Sequence, residues 1–278
     1  MNATAQRRRL VGDVLAFALL TLGALCMTGP FMWMISTSLK PLAQQYDMRL
    51  IPETLTFENY PRLFEIIPIH RQLWNSFFIA AVSTFGQLLT CSMAGFIFAV
   101  VRFPFRNTIF VILLVTLMVP AQITVIPQFI VFRFLGLYGT QAPLYLPAFL
   151  GGAFGTFLMR QYFLTIPSEL AEAARIDGAS LARIFFTIYL PLAKPALAAF
   201  AIFAFMFSWN DLFNALIYLP SNMETTTVTV GLALFQTQYA GQWPLMMTAS
   251  LLAVAPIIIF FFFAQKYFIA GISMSGLK

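Results

Sequence analysis

Six apolar stretches constrain this chain more than any other feature, because each is long enough to cross the hydrocarbon core of a bilayer as a helix. They cover approximately residues 14–35, 72–101, 107–132, 142–163, 195–219 and 243–267. Backbone N–H and C=O groups inside a bilayer must be hydrogen-bonded within the protein, and a helix satisfies them segment by segment. The sequence therefore predicts an all-α, polytopic membrane protein with six transmembrane helices in a single domain over residues 1–278.

The composition supports this class of protein. Hydrophobic residues make up 60% of the chain and charged residues 9%, whereas a soluble domain carries about 25% charged residues. The net charge of +6 would also suit a nucleic-acid-binding protein, but no basic cluster with interleaved aromatic residues accompanies it. We therefore expect the lipid bilayer as a partner and no nucleic acid.

The sequence contains no recognisable catalytic or metal-binding constellation. It has one histidine, His70, and two cysteines, Cys26 and Cys91, which both fall in apolar stretches. These residues cannot assemble a metal site at the usual ligand spacings. No nucleophile, base and orienting group occur at a recognisable spacing, and the glycine-rich phosphate loop of ATPases is missing. We expect neither an enzyme activity nor a bound cofactor, so any work done with ATP must come from a partner.

Charged residues predict the orientation of the spans, since the cytoplasmic loops of membrane proteins are enriched in Lys and Arg. Six spans place both termini on one side, and that side holds 11 of the 16 basic residues. These are Arg7, Arg8, Arg9, Arg102, Arg106, Arg160, Arg175, Arg183, Lys194, Lys266 and Lys278. The N- and C-termini are therefore expected in the cytoplasm together with Glu172, and Glu53 and Glu224 outside.

Polar residues inside the predicted spans are candidates for lining a solute pathway. Asp211 is the only acidic residue well inside a span, and intramembrane carboxylates are usually functional. Asn210 and Asn214 are predicted one helical turn apart on one face of the same span, while Gln87 and Gln122 lie in the second and third spans. Each has a structural alternative, because polar side chains also join helices inside a bundle. Asp211 would merely contact water if it lies near the outer end of its span.

A polar stretch, SELAEAARIDGASLARIFFTIYLPLAKP from Ser168 to Pro195, interrupts the apolar pattern. A helix is predicted to start at Pro167-Ser168, with Glu172 in its early part, where the helix dipole favours a carboxylate. Asp177-Gly178 should end that helix, because glycine accepts the left-handed conformation, and Leu190-Pro191 should redirect the chain toward the membrane. A short surface helix, a sharp turn and a re-entry would suit docking into a partner's cleft. The alternative is an ordinary cytoplasmic loop.

The spacing of this stretch resembles the EAA loop of permease subunits in bacterial ABC importers. The pattern reads Glu-Ala-Ala, three residues, Gly, nine residues, Ile, one residue and Leu-Pro. The fuller run is most similar to the carbohydrate-importer branch, in particular to the second permease of maltose-type systems, in which this loop sits in a cleft of the ATPase. For the coupling loop, residues 167–191, the resemblance implies ATPase-coupling roles for Glu172, Ala173, Ala174, Asp177, Gly178, Ile188, Leu190 and Pro191.

The resemblance covers nearly the whole chain and implies a heteromeric importer in the bacterial inner (cytoplasmic) membrane. Its other parts would be a second permease subunit, two ATPase subunits that bind the ATP, and an extracytoplasmic solute-binding protein. The tail from Gly271 to Lys278 resembles one that enters the ATPase interface, although it lacks the usual glycine-rich ending. A loop that reaches into the binding protein is implied for Gln236, Gln238, Tyr239 and Gln242.

The expected function is binding-protein-dependent import of a sugar or sugar-like solute. Relatives in this family also carry glycerol phosphates, so a solute of that type is the alternative. An ion-coupled secondary transporter would need ionisable residues within the membrane, and Asp211 alone qualifies. An integral membrane enzyme would need the catalytic constellation that is missing.

Overall fold

A computed structural model of the chain describes residues 3–219, 223–239 and 241–275. Within these residues all regular structure is helical, which confirms the all-α prediction. Short 3-10 segments lie at Leu42–Gln44, Thr116–Met118 and Leu146–Leu150, and a π-helical segment lies at Phe185–Tyr189. The α-helices are α1 (Ala3–Ser38), α2 (Asn59–Ile66), α3 (Ile69–Val100), α4 (Arg106–Val115), α5 (Ala121–Phe134), α6 (Ala142–Tyr145), α7 (Ala153–Phe163), α8 (Glu169–Ile176), α9 (Leu181–Ile184), α10 (Leu190–Leu192), α11 (Lys194–Trp209), α12 (Phe213–Tyr218), α13 (Val228–Gln238) and α14 (Trp243–Ser275).

Among the described residues, four to six segments are candidates for crossing a membrane. Four are long and apolar enough by themselves: Gly12–Ser38, Ile69–Val100, Ala142–Phe163 and Trp243–Phe262. Two bent pairs qualify if each counts as one span. Arg106–Met118 and Ala121–Phe134 meet at 96°, and Leu181–Leu192 and Lys194–Trp209 meet at 80°. The fold class is thus that of a multi-span membrane protein, and the count of six spans stays a prediction.

The 96° bend follows from the position of Pro120. The 3-10 segment ends at Met118, Val119 is extended with φ −80° and ψ 116°, and α5 begins directly after Pro120. Proline has no N–H group and clashes with the preceding helical turn, so a helix cannot pass through it unbent, although proline starts the next helix well. Pro127 lies inside α5 without ending it.

The predicted fifth span, residues 195–219, is not one continuous helix. α11 ends at Trp209 and α12 begins at Phe213. At the break, the Asn210 side-chain amide donates to the Met206 carbonyl oxygen at 2.8 Å, and the Asp211 carboxylate accepts from the Asn214 backbone N–H at 3.0 Å. Short polar side chains that bond the backbone in this way compete with the helical hydrogen bonds. The break therefore has a local cause.

Backbone contacts divide the chain into two compact units. The first consists of residues 1–67 and 232–254. In this unit, a buried lysine orders the loop that follows α1. The Lys40 side chain is 0% exposed, and its ammonium donates to the carbonyl oxygens of Asp47 at 2.7 Å and Arg49 at 2.8 Å. It also lies 4.5 Å from the centroid of the Trp33 ring. A buried ammonium needs such partners, so these contacts fix the loop against the end of α1.

The second unit consists of residues 68–231 and 255–278 and is built around α3, which packs along α7 and α11. Its core joins residues from these helices to the coupling loop: Cys91, Phe96, Met159, Phe163, Ala171, Ile184, Phe185, Tyr189, Ala193, Phe200 and Ala204. Two glycines permit the close approach. A Cβ atom on Gly95 would lie 2.8 Å from the Cβ atom of Met159, and one on Gly155 would lie 2.1 Å from the Phe200 ring. The core therefore anchors the coupling loop to the helix bundle of this unit.

Candidate functional site

The coupling loop begins with a surface helix. α8 starts at Glu169, directly after Ser168, and the Glu172 N–H donates to the Ser168 carbonyl oxygen at 3.1 Å. The helix thus begins where the sequence predicted, although the Ser168 side chain makes no capping hydrogen bond. Glu169 and Glu172 lie at the end of the helix where the backbone dipole favours negative charge.

The turn after α8 depends on Gly178. This residue has φ +78°, which confirms the predicted left-handed conformation. The Ala179 N–H donates to the Ala174 carbonyl oxygen at 2.9 Å, and the Gly178 N–H donates to the Arg175 carbonyl oxygen at 3.0 Å. This pair of bonds is the Schellman arrangement that closes a helix end. Ser180 then caps α9, because its hydroxyl oxygen accepts from the Arg183 N–H at 3.2 Å.

The residues of the EAA pattern fall into two groups in the structure. One group is exposed at the surface: Glu172, Ala173, Asp177, Gly178 and Pro191. The other group packs against the core of the second unit: Ala174, Ile188 and Leu190. The first group can meet another protein, whereas the second can act only by holding the first in place.

Ile176 is part of this surface, although the sequence pattern did not predict it. Its side chain is 87% exposed at the C-terminal end of α8, two residues before Gly178. Single exposed apolar residues are common on proteins, but this one lies beside the exposed residues of the coupling loop. The signal in the sequence was weak, since an isoleucine between two charged residues reads equally well as the buried side of an amphipathic helix.

Charged side chains surround an open cleft beside α8. The cleft has a volume of about 810 Å³ and includes Glu169, Glu172, Arg102, Arg106 and Arg175 in its lining. In the part of the chain that the structure describes, no ion pair within 4.0 Å joins these carboxylates to these guanidinium groups. The Glu172 carboxylate is therefore available to a cationic group of another protein.

A second candidate site is a cavity of about 250 Å³ in the second unit, which we call the polar cavity after the polar side chains in its otherwise apolar lining. It brings together residues from four of the predicted spans, and Gln87, Asp211 and Asn214 all line it. Ser83, Gln128, Ser208 and Tyr218 also contribute to the lining. No pathway role was predicted for Tyr218, whose hydroxyl donates to the Gln128 side-chain oxygen at 3.4 Å.

The Asp211 carboxylate is held by Asn214. One carboxylate oxygen accepts from the Asn214 backbone N–H at 3.0 Å, and the other accepts from the Asn214 side-chain amide at 2.8 Å. Together they present a carboxylate and an amide to the cavity, which can accept from and donate to solute hydroxyl groups. Among the described residues, no group of three His, Cys, Asp or Glu side chains is placed to hold a metal ion.

Two of the predicted pathway residues lie elsewhere. The prediction that Asn210 and Asn214 share one helix face is wrong, because the helix breaks between them and the Asn210 amide turns back to the Met206 carbonyl oxygen. Gln122 is exposed on α5 and does not line the polar cavity. Gln87 lines the polar cavity. Nearby on α3, the Ser83 hydroxyl donates to the Leu144 carbonyl oxygen and the Thr90 hydroxyl donates to the Ala148 carbonyl oxygen, each at 3.3 Å. Part of the polar face of α3 thus joins helices.

The residues of the implied binding-protein loop lie at the end of α13 and the start of α14. Gln236 and Gln238 are exposed. The Tyr239 ring stacks on Phe235 with centroids 4.7 Å apart, and Gln242 is half-buried. Of the implied C-terminal tail, residues 276–278 and the side chains of residues 271–275 lie outside the described part of the chain.

Comparison with known proteins agrees with this architecture. The family described as "Binding-protein-dependent transport system inner membrane component" matches residues 92–274. The chain is 37% identical to the arabinooligosaccharides transport system permease protein AraQ of Halalkalibacterium halodurans, over 94% of this chain and 96% of that protein. It is 33% identical to the lactose transport system permease protein LacG of Rhizobium radiobacter, over 96% and 97%. It is 30% identical to the sn-glycerol-3-phosphate transport system permease protein UgpE of Brucella abortus, over 95% and 97%.

Solved structures give the same result. A chain of a bacterial ABC transporter involved in the import of the acidic polysaccharide alginate superposes with a TM-score of 0.81 at 26% identity, over 96% of this chain and 99% of that chain. A chain of the MetNI methionine ABC transporter, at 19% identity and a TM-score of 0.57, shares the fold. These similar proteins are permeases of transport systems and not enzymes. This chain belongs to the family of inner membrane components of binding-protein-dependent transport systems.

Proposed function

We propose that this chain is the permease subunit of an ATP-driven importer for a sugar or sugar-like solute. The observation that carries the proposal is similarity along almost the whole chain to permeases named for arabinooligosaccharides and lactose. The similarity to an alginate importer, with a TM-score of 0.81, supports the same solute class. The polar cavity, with its carboxylate, amide and hydroxyl groups, offers the mixed donors and acceptors that sugar hydroxyls need.

The ATPase is proposed to dock on the exposed side of the coupling loop. Glu172 and Ile176 would contact it directly, because both are exposed on α8. Ala173 on α8 and Asp177 directly after α8 are also exposed, and they would line the contact. Ala174, Ile188 and Leu190 would serve from within by joining this surface to the core, so that movement of the ATPase reaches α3, α7 and α11.

The complete importer is proposed to contain a second permease, two ATPase subunits and an external solute-binding protein. Another alginate-importer chain with the same fold, at 17% identity, comes from a complex with a periplasmic protein. We propose that both termini and the coupling loop lie in the cytoplasm, as the basic residues predict. Gln236, Gln238, Tyr239 and Gln242 would then lie outside, near the binding protein. All ATP would be bound by the ATPase subunits, and this chain would need no cofactor.

Glycerol phosphate is the second candidate solute class, because of the similarity to UgpE. The polar cavity favours a neutral sugar over it. Asp211 places a carboxylate in the lining of that cavity, and a like charge on a phosphate would be repelled.

A decisive test is ATP-dependent uptake by proteoliposomes that contain the permeases and ATPases, with the binding protein added. Uptake of glycerol phosphate but of no sugar would overturn the proposed solute class.

Glu172→Ala is expected to weaken the contact with the ATPase about tenfold or more, since a hydrogen bond to a charged group contributes about 1.5–3 kcal/mol and 1.4 kcal/mol corresponds to a factor of ten. The substitution removes an exposed side chain, so folding and membrane insertion should not change. The measurement is binding of the purified ATPase to permease nanodiscs. Glu169→Ala is the matched control, because Glu169 is also an exposed glutamate on α8. Equal affinity in both variants would contradict the proposed role of Glu172.

Asp211→Asn is expected to lower the kcat/KM of uptake about tenfold while assembly with the ATPase stays normal, because a charged acceptor that contacts the solute contributes about 1.5–3 kcal/mol. Asp13→Asn is the comparison, because Asp13 is an exposed carboxylate on α1 that does not line the polar cavity. We propose that Gln87, Asp211 and Asn214 line the solute pathway at this cavity. Asn210 and Gln122 would meet the solute only along another part of the route. Unchanged uptake in Asp211→Asn would assign Asp211 a structural role.

A further inference from the structure

A separate cavity in the first unit has a lining typical of a sugar-binding site. Its volume is about 290 Å³, at the lower end of the range for small-molecule pockets and suited to a single monosaccharide unit. Three aromatic side chains, those of Trp33, Tyr46 and Trp243, line it together with Gln45, Asp47, Thr37, Met48 and Met247. None of these residues belongs to the coupling loop or to the polar cavity.

The aromatic rings offer apolar faces to a ligand. The Tyr46 side chain is 74% exposed and that of Trp243 is 45% exposed. Lys40 occupies one side of the Trp33 ring, 4.5 Å from its centroid. The C–H groups on one side of a pyranose ring form an apolar patch that packs on an aromatic face, whose negative potential attracts their partial positive charge. Exposed aromatic faces around a small cavity therefore suit a carbohydrate.

The wall of the cavity is held in place before any ligand arrives. The buried Lys40 ammonium binds the carbonyl oxygens of Asp47 and Arg49. The Gln45 side-chain oxygen accepts from the backbone N–H of Trp243 at 3.3 Å and so ties the same loop to the start of α14. A site that is already ordered loses less conformational entropy on binding. The fully buried Lys40 thus orders the loop that forms one wall of the cavity.

Two polar groups beside the rings can bind hydroxyl groups. One Asp47 carboxylate oxygen accepts from the Arg49 N–H at 3.0 Å, and the other has no partner among the described residues. The Gln45 side-chain N–H₂ group also has none within that part of the chain. A carboxylate that accepts and an amide that donates match a sugar diol, each of whose hydroxyls can do both. A lipid acyl chain would instead leave these two groups without hydrogen bonds.

We propose that this cavity is a carbohydrate-binding subsite of the permease, separate from the polar cavity. The inference rests on the proposed function, because it assumes that the transported solute is a sugar. Trp33 and Trp243 lie at the ends of their spans that are predicted to face outward, and Trp243 follows the residues of the implied binding-protein loop. The subsite would therefore hold one sugar unit on the side where the binding protein delivers the solute.

Saturation-transfer difference NMR on the assembled importer in nanodiscs, without binding protein, tests the subsite. The probes are lactose, maltotriose and arabinotriose, each at millimolar concentration. We expect transfer to the ring C–H protons of at least one probe, and a loss of affinity of about tenfold in Trp243→Ala, since an aromatic contact contributes up to about one factor of ten. Tyr46→Ala should act in the same direction, and because its side chain is so exposed it should not disturb folding.

Trp74→Ala is the matched control, because Trp74 is 65% exposed on α3 in the other unit and lines neither cavity. The absence of transfer from all three probes would overturn the subsite, as would equal affinity in wild type, Trp243→Ala and Tyr46→Ala. Failure of the ATPase to co-purify would overturn the proposed function instead. The two failures are distinguishable, because the NMR signal is read without ATP hydrolysis.

Discussion

Gly178→Val is expected to uncouple ATP hydrolysis from transport while the permease still folds and inserts. Gly178 has φ +78°, and a β-branched residue in that conformation costs about 1–3 kcal/mol. A Cβ atom at this position would meet no atom within 4 Å, so the cost is backbone strain and not crowding. The turn should relax by shifting α8, and solute-stimulated ATPase activity in proteoliposomes should fall about fivefold or more, at 1.4 kcal/mol per factor of ten.

Gly178→Asn is the matched control for this prediction. Asparagine accepts the left-handed conformation far better than valine does, and the open space around the position can hold its side chain. We therefore expect Gly178→Asn to keep most of its coupling. Loss of coupling in both variants would mean that the ATPase needs bare backbone at Gly178, and normal coupling in Gly178→Val would remove the turn from the mechanism.

The turn at Gly178 was predictable from sequence because its determinants are local. Gly178 and Ala179 close α8 through two backbone hydrogen bonds within residues 174–179, and only glycine takes φ +78° at no steric cost. The helix start at Glu169 is local in the same way. Features of this kind are determined by neighbouring residues, so a single sequence contains all the information that they need.

The break of the fifth span was missed, although its cause is also local. Neither proline nor glycine occurs between Trp209 and Phe213, and the apolar pattern continues on both sides. The signal was the Asn210-Asp211 pair, whose side chains bond the backbone of Met206 and Asn214. Asn and Asp inside an apolar stretch suggest a solute pathway, and their tendency to break a helix was not taken into account.

The burial of Lys40 could not be predicted, because its partners carry no sequence signature. They are two backbone carbonyl oxygens and the Trp33 ring, and every residue has a carbonyl oxygen. The polar cavity was predicted only in part, because contacts between residues that are distant in the sequence also have no sequence signature. Gln87 and Asp211 are unusual residues in apolar stretches, but their meeting depends on how α3 packs beside the break, and one sequence does not contain that geometry.

Gly152, directly before α7, and Gly155 within it illustrate the limit for helix packing. Gly155 lies where a Cβ atom would clash with Phe200 and Cys91, whereas one on Gly152 would lie 3.9 Å from the Cys91 sulfur, at an ordinary contact distance. The backbone itself comes close at Gly95 on α3, where a Cβ atom would lie 2.9 Å from the Arg160 backbone nitrogen. Composition shows that glycines are present, but only the packed structure shows which of them is required.

Gly95→Ala is therefore expected to destabilise the permease by about 1–3 kcal/mol, the usual cost of overpacking a core. The added methyl group would meet the Met159 Cβ atom at 2.8 Å and the backbone of Arg160. Backbone atoms cannot swing aside as a side chain can, so α7 as a whole must shift. The melting temperature of the purified permease in detergent should fall by about 2–10 °C.

Gly152→Ala is the control at the same helix interface. Its φ of −151° suits any residue, and the new Cβ atom would meet only the Cys91 sulfur at an ordinary contact distance. The melting temperature should stay the same or rise slightly, because Gly→Ala at a compatible site reduces the freedom of the unfolded chain. An equal fall in both variants would show that the α3–α7 contact is not tight at Gly95.

The Gly95 substitution should also reach the coupling loop. α7 ends at Phe163 and leads through five residues into α8. Arg160 is held by the Phe98 carbonyl oxygen at 3.2 Å and by the Phe110 ring at 4.2 Å from its centroid. A shift of α7 strains both contacts and moves the base of α8. Gly95→Ala protein that still assembles should therefore show weaker solute-stimulated ATPase activity, whereas normal activity at a lowered melting temperature would separate the stability of this interface from coupling.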